Sequence, residues 1–169
     1  MKFITRSSNL SKLSEDTVIV GAFSSPKGTL SLSAAAEQLH AQGLLANTLA
    51  LGDFTGELGK QMIIPGPKNK GRIVLVGLGG ADKFDAKAYK KATQTALSAI
   101  ASTQASHVVF TLHSLEVPNL DNAAKSRIAA VAAHEACYRF DLTKSKKEPL
   151  PKLASIAFTA DGTAAKGLL

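Results

Sequence analysis

The run Val18-Ile19-Val20-Gly21-Ala22-Phe23 is apolar without interruption and rich in β-branched residues, which predicts a strand covered on both faces. Ser24-Ser25-Pro26-Lys27-Gly28 then marks a turn. From Ala34 to Gln42 the residues favour a helix, with Ser33 set to accept an N-cap bond and Gly43 set to end the element. A second apolar segment, residues 44–51, predicts a further short helix before Gly52-Asp53-Phe54-Thr55-Gly56.

Ile63-Ile64 and Arg72-Ile73-Val74-Leu75-Val76 read as two strands of a hairpin across the Pro/Gly-rich residues 65–71. Residues 85–104 form an amphipathic pattern: Tyr89, Ala92, Ala96, Leu97 and Ile100 recur at helical spacing, while Lys87, Lys90 and Lys91 fall on the other side. His107-Val108-Val109-Phe110-Thr111-Leu112 predicts a strand. Residues 121–139 predict an alanine-rich helix turning Ile128 and Val131 inward, and Leu153-Ala154-Ser155-Ile156-Ala157-Phe158 a last strand. Strands alternating with helices predict an α/β fold with a mixed, mostly parallel sheet between helical layers. Residues 1–160 are expected to form one domain, and residues 161–169 to be a linker or the first turn of another helix.

Length and composition are consistent with that picture. At 169 residues and 45% hydrophobic content, the chain can bury a core without staples. A single cysteine, Cys137, excludes an internal disulfide and a thiolate-rich metal cluster, and it favours a reducing compartment. Met1-Lys2-Phe3-Ile4-Thr5-Arg6 lacks the long apolar stretch of a signal peptide, and no segment approaches the length of a membrane span, so the expectation is a cytoplasmic protein without a membrane partner. The net charge of +7 implies attraction to anions, nucleic-acid phosphates among them, yet the scarcity of aromatics leaves no stacking platform for single strands.

Candidate chemistry is thin. Gly77-Leu78-Gly79-Gly80-Ala81-Asp82 sits between a strand and a helix, where a phosphate-binding turn would lie, but Asp82 replaces the third glycine and would repel a pyrophosphate; a tight strand-to-helix turn is the preferred reading. His134-Glu135 resembles the start of a zinc-protease helix, but Tyr138 stands where the second histidine is needed. Cys137 and His134 are one turn apart without a third group, and His40, His107 and His113 fall in separate elements. The thirteen carboxylates are dispersed, so neither catalytic nor metal-ligating residues are assigned. The densest charge cluster, Arg139, Lys144, Lys146, Lys147 and Lys152, is either a solvated face or a contact for a nucleic-acid backbone.

Three stretches taken in order resemble one family. They are Leu51-Gly52-Asp53-Phe54-Thr55-Gly56-Glu57-Leu58-Gly59, then Arg72-Ile73-Val74-Leu75-Val76-Gly77-Leu78-Gly79, then Tyr138-Arg139-Phe140-Asp141 followed by Lys144-Ser145-Lys146-Lys147. Together they resemble the amino-terminal domain of the leucyl (cytosol) aminopeptidases, with a departure at Leu142-Thr143, where relatives often carry an aromatic. The resemblance implies a three-layer α/β/α sandwich similar to macro domains. It also implies a separate carboxy-terminal catalytic domain, whose two divalent metals, manganese or zinc, are held by motifs that do not occur in these residues. Homo-hexamers are further implied, as is DNA binding of the kind some bacterial members show. A macro-like fold with a glycine turn also suggests an ADP-ribose module. The combined expectation is an accessory assembly or regulatory domain, inactive alone.

Overall fold

The computed structural model describes residues 1–6, 10, 17–26, 28–67, 71–138 and 151–159. The strands are β1 (Lys2–Arg6), β2 (Thr17–Ser24), β3 (Leu30–Leu32), β4 (Gln61–Pro65), β5 (Arg72–Gly80), β6 (His107–Phe110) and β7 (Ser155–Thr159). The helices are α1 (Ala34–Ala41), α2 (Ala46–Ala50), α3 (Ala86–Ala101) and α4 (Asn122–Cys137). One sheet holds the strands in the order β1-β7-β6-β2-β5-β4, with β3 beside β2. Neighbours run parallel except at β4–β5 and β2–β3.

Alternation along the central strands divides two cores. Ile19, Val74, Val76, Val108, Phe110, Ile156 and Phe158 face α3 and α4. Val18, Val20, Ala22, Ile73, Leu75, Val109 and Ala157 face the other way, toward Leu39 of α1 and Leu45. Both faces of the sheet are therefore covered, which is why these strands read as continuous apolar runs. Tyr89, Leu97 and Ile100 of α3 are fully buried, and each contributes about 1.5–3 kcal/mol by leaving water.

Local signals set the helix starts. Ser33 accepts from the Ala36 amide at 3.4 Å, Asp85 from Ala88 at 2.8 Å, and Asp121 from Ala124 at 2.7 Å. Gly43, at φ 77°, ends α1 in the left-handed region.

Several boundaries differ from expectation. β1 and β3 carry no apolar run of their own and form by pairing with β7 and β2. β6 stops at Phe110, because Thr111 turns to ψ −12° and its hydroxyl donates to the Ile19 carbonyl at 2.6 Å. α3 ends at Ala101 and α4 at Cys137, short of the predicted limits. The inward stripe of α4 is Lys125, Ala129, Ala132 and Ala133, leaving Ile128 half-buried and Val131 49% exposed. Small residues win that stripe because α4 lies close against α3, whose facing positions include Ala92 and Ala96. Residues 161–169, read as a linker, lie outside the described residues.

Candidate functional site at the carboxyl edge of the sheet

β2 lies at a reversal of the strand order: the chain moves from β2 to β5 on one side, then crosses back through α3 to β6 on the other. Crevices at the carboxyl ends of strands beside such a reversal are where open α/β sheets place ligands. Two adjoining clefts occupy that end here. The first, about 680 Å³, is lined by Ser24, Ser25, His40, Phe54, Glu57 and Lys83 among others. The second, about 620 Å³, is lined by Phe23, Phe84, Val117, Pro118, Leu120 and Lys125, with Glu116. Asp82 belongs to both.

The wall of the first cleft is a backbone clasp. The segment before β4 folds onto the far half of β5, where the Gly77 amide donates to the Lys60 carbonyl at 2.9 Å and the Gly79 amide to the Gly56 carbonyl at 2.9 Å. A side chain at position 77 would collide with the Glu57 carbonyl, and one at 56 with the Phe23–Ser24 backbone. The glycines of β5 thus serve a close approach of two backbones. This corrects the reading of residues 77–80 as a strand-to-helix turn, since β5 continues through Gly80 and only Gly79, at φ 77°, is left-handed. Two amides that a phosphate-binding turn would offer are already taken. The amino end of α3 is likewise capped by its own Asp85.

Lys125, which lines the second cleft, belongs to a polar cluster that extends behind it to His113, Ser126 and Asn122. Lys125 is 6% exposed, and its Nζ donates to the carbonyls of His113 at 2.8 Å and Leu115 at 2.9 Å. His113, 1% exposed, places Nε2 at 2.9 Å from Ser126 Oγ and 3.2 Å from the Asn122 carbonyl. Ser126 spends its own proton on Asn122 at 2.8 Å, so Nε2 carries the hydrogen and donates. Burial holds the His113 imidazole below its ordinary range, against the Asn122 hydrogen bond and with help from the nearby Lys125 charge. Burial likewise lowers Lys125, while Glu116 and Asp121 favour its charged form. Phe23 and Phe84 meet edge to face at 5.1 Å and 88°, forming an apolar wall.

Of the residues singled out in the sequence, Arg139, Lys144, Lys146 and Lys147 lie outside the described residues, and Lys152 is exposed just before β7. His134 and Glu135 are exposed; the first contacts Phe3 at 6.2 Å between centroids and the second accepts from Gln94 at 3.3 Å. Cys137 packs, partly buried, against the larger core. His107 pairs with Ser155 at 2.8 Å, and His40 reaches the first cleft. Among the described residues no three His, Cys, Asp or Glu side chains come together as metal ligands, so the two divalent metals have no fitting donor set there. Lys125 escaped notice in the sequence, having no local signature that separates it from the other lysines.

Residues 19–147 match the family model described as cytosol aminopeptidase family, N-terminal domain. A probable cytosol aminopeptidase of Burkholderia thailandensis is 35% identical over 149 residues, 86% of this chain and 29% of that protein. The chain spans just under a third of the length of the curated relatives it matches. A solved tomato leucine aminopeptidase mutant is similar at TM-score 0.72 and 19% identity, over 99% of this chain and 34% of that one. The macrodomain of Mycobacterium tuberculosis DarG is similar at TM-score 0.65 and 10% identity, over 95% and 99%. At such identities these two likenesses speak to the fold, which is the expected macro-like α/β sandwich.

Proposed function

This chain belongs to the cytosol aminopeptidase family, as its amino-terminal domain, and on that premise we propose that it is the non-catalytic accessory part of a leucyl aminopeptidase. In this reading it works in the cytoplasm beside a catalytic part, within a homo-hexamer. The two divalent metals, manganese or zinc, and the water they activate for peptide hydrolysis belong to that other part. This chain binds, supports or shapes access, and contributes no reacting group.

The observation that carries the reading is the match of residues 19–147 to the amino-terminal model of a family whose members are over three times as long as the matched portion. The clasp adds support, because two of the three resembling stretches, residues 51–59 and 72–79, meet there backbone to backbone. The test is an assay of the 169-residue chain with leucine p-nitroanilide and manganese. No turnover above the metal blank is expected; robust metal-dependent turnover overturns the reading.

A further inference from the structure

The second cleft holds an unusual combination. A cation that is 6% exposed forms part of the lining of an open cleft, and its ammonium has three donors, of which two are committed to the carbonyls of His113 and Leu115. No described residue accepts the third. A buried charge is costly unless it is paired and fully hydrogen-bonded. Neither Glu116 nor Asp121 approaches closely enough to form an ion pair with it, although both act on it through space.

Phe23, Phe84, Val117, Pro118 and Leu120 supply an apolar side to a lining that is otherwise about equally polar. The volume, about 620 Å³, falls within the range of small-molecule sites. The carboxylates of Asp82 and Glu116, both exposed, also border the space.

We propose that this cleft binds a small apolar molecule through its carboxylate, with Lys125 as the anchor, and that a free apolar α-amino acid matches it most fully. The carboxylate supplies the missing acceptor and countercharge to Lys125. A charge-assisted hydrogen bond of this kind is about twice as strong as a neutral one. The hydrocarbon portion lies against Phe23, Phe84 and Leu120 and displaces water from them. The α-ammonium of an amino acid lies toward Asp82 and Glu116. Those two carboxylates repel a dianion, so the same site rejects inorganic phosphate and phosphorylated ligands. The binding stands whether or not the chain works beside a peptidase.

The test is calorimetry with the 169-residue chain, supported by amide and side-chain NMR shifts. The probes are L-leucine, leucinamide, which lacks the carboxylate, N-acetyl-L-leucine, which lacks the ammonium, and inorganic phosphate. Saturable leucine binding that shifts the Phe23 and Phe84 rings is expected. Leucinamide should bind at least about tenfold more weakly, as should leucine to Lys125→Met. Leu120→Trp, which fills the mouth of the cleft from a half-buried position, should abolish binding even if the Lys125 variant fails to fold. N-acetyl-L-leucine should bind more weakly than leucine, and equally tight binding overturns the placement of an α-ammonium toward Asp82 and Glu116. Absence of saturable binding by both carboxylates overturns the proposal. So does leucinamide or phosphate binding as tightly as leucine, or leucine binding that Leu120→Trp leaves intact.

Discussion

Lys125 Nζ holds the carbonyl of His113 at 2.8 Å, tying α4 to the turn that follows β6. The same ammonium takes the Leu115 carbonyl, so one side chain fixes the middle and the end of that turn. Replacing it with methionine preserves the length of the side chain and removes both donors. The loss of hydrogen bonds from a charged group, each worth about 1.5–3 kcal/mol, outweighs the relief of a charge that still borders an open cleft. Lys125→Met should lower stability by about 1–3 kcal/mol in urea denaturation. An unchanged midpoint would show that the carbonyls are satisfied by water instead.

His113 gives the fold an acid-sensitive point. Its folded pKa is lowered from 6.5, so as pH falls through that value the unfolded imidazole takes up a proton that the folded one refuses. The unfolded state then binds more protons, and stability declines with acidity below about pH 6.5, while above it this group has no effect. His113→Gln, which retains an N–H donor toward Ser126 and Asn122, should flatten that part of a stability-versus-pH curve. A slope identical in the two proteins would assign the acid sensitivity to other groups.

Gly77 and Gly43 separate two reasons for having no side chain. Around Gly43 the space is open, but φ is 77°, so Gly43→Ala should cost about 1–2 kcal/mol of backbone strain. At Gly77 the backbone is ordinary, and the Glu57 carbonyl fills the place of a Cβ. Two backbones must part to admit it, so Gly77→Ala should cost about 3 kcal/mol or more, the upper end of overpacking. Thermal or urea unfolding of both variants tests the order of the two effects, and a smaller loss at position 77 would refute the clasp.

Among the described residues, Tyr89 buries its hydroxyl without a hydrogen-bond partner, as does Thr93. Burial drives the phenol well above its ordinary range; Thr93 is near enough to temper this, though the two do not reach hydrogen-bond geometry. Tyr89→Phe removes a desolvated group and keeps the ring, so stability should stay within about 0.5 kcal/mol or rise by about 1. In a Tyr138→Phe background, ultraviolet titration should show no phenolate until the protein unfolds in alkali. Ionisation while the fold persists would place Tyr89 in contact with water.

What could be read from the sequence follows from how local each cause is. β2 and β5 announced themselves as apolar runs because both faces of each are covered, and α1 showed its ends at Ser33 and Gly43. β1 did not, since its residues are largely exposed and its place depends on the ladder from Lys2–Ser155 to Arg6–Thr159, between opposite ends of the described chain. In α4, alanine gives no amplitude to a helical pattern, so Val131 drew the inward assignment that Ala129, Ala132 and Ala133 in fact hold. The glycines at 77 and 79 were visible, but a turn and a close approach both demand glycine; only the position of Glu57 in space decides between them. Lys125 became a site residue through two carbonyls of a turn that no spacing rule predicts.

The clasp also acts as a proofreader of alignment. Strands β4 and β5 pair from Gln61–Val76 to Pro65–Arg72, and a slip by one residue would bring Val76 or Leu78 beneath the Glu57 carbonyl, where no side chain fits. A hairpin closed in the wrong register therefore cannot complete its far end. The glycine at position 77 works as a notch that admits a single arrangement of the hairpin.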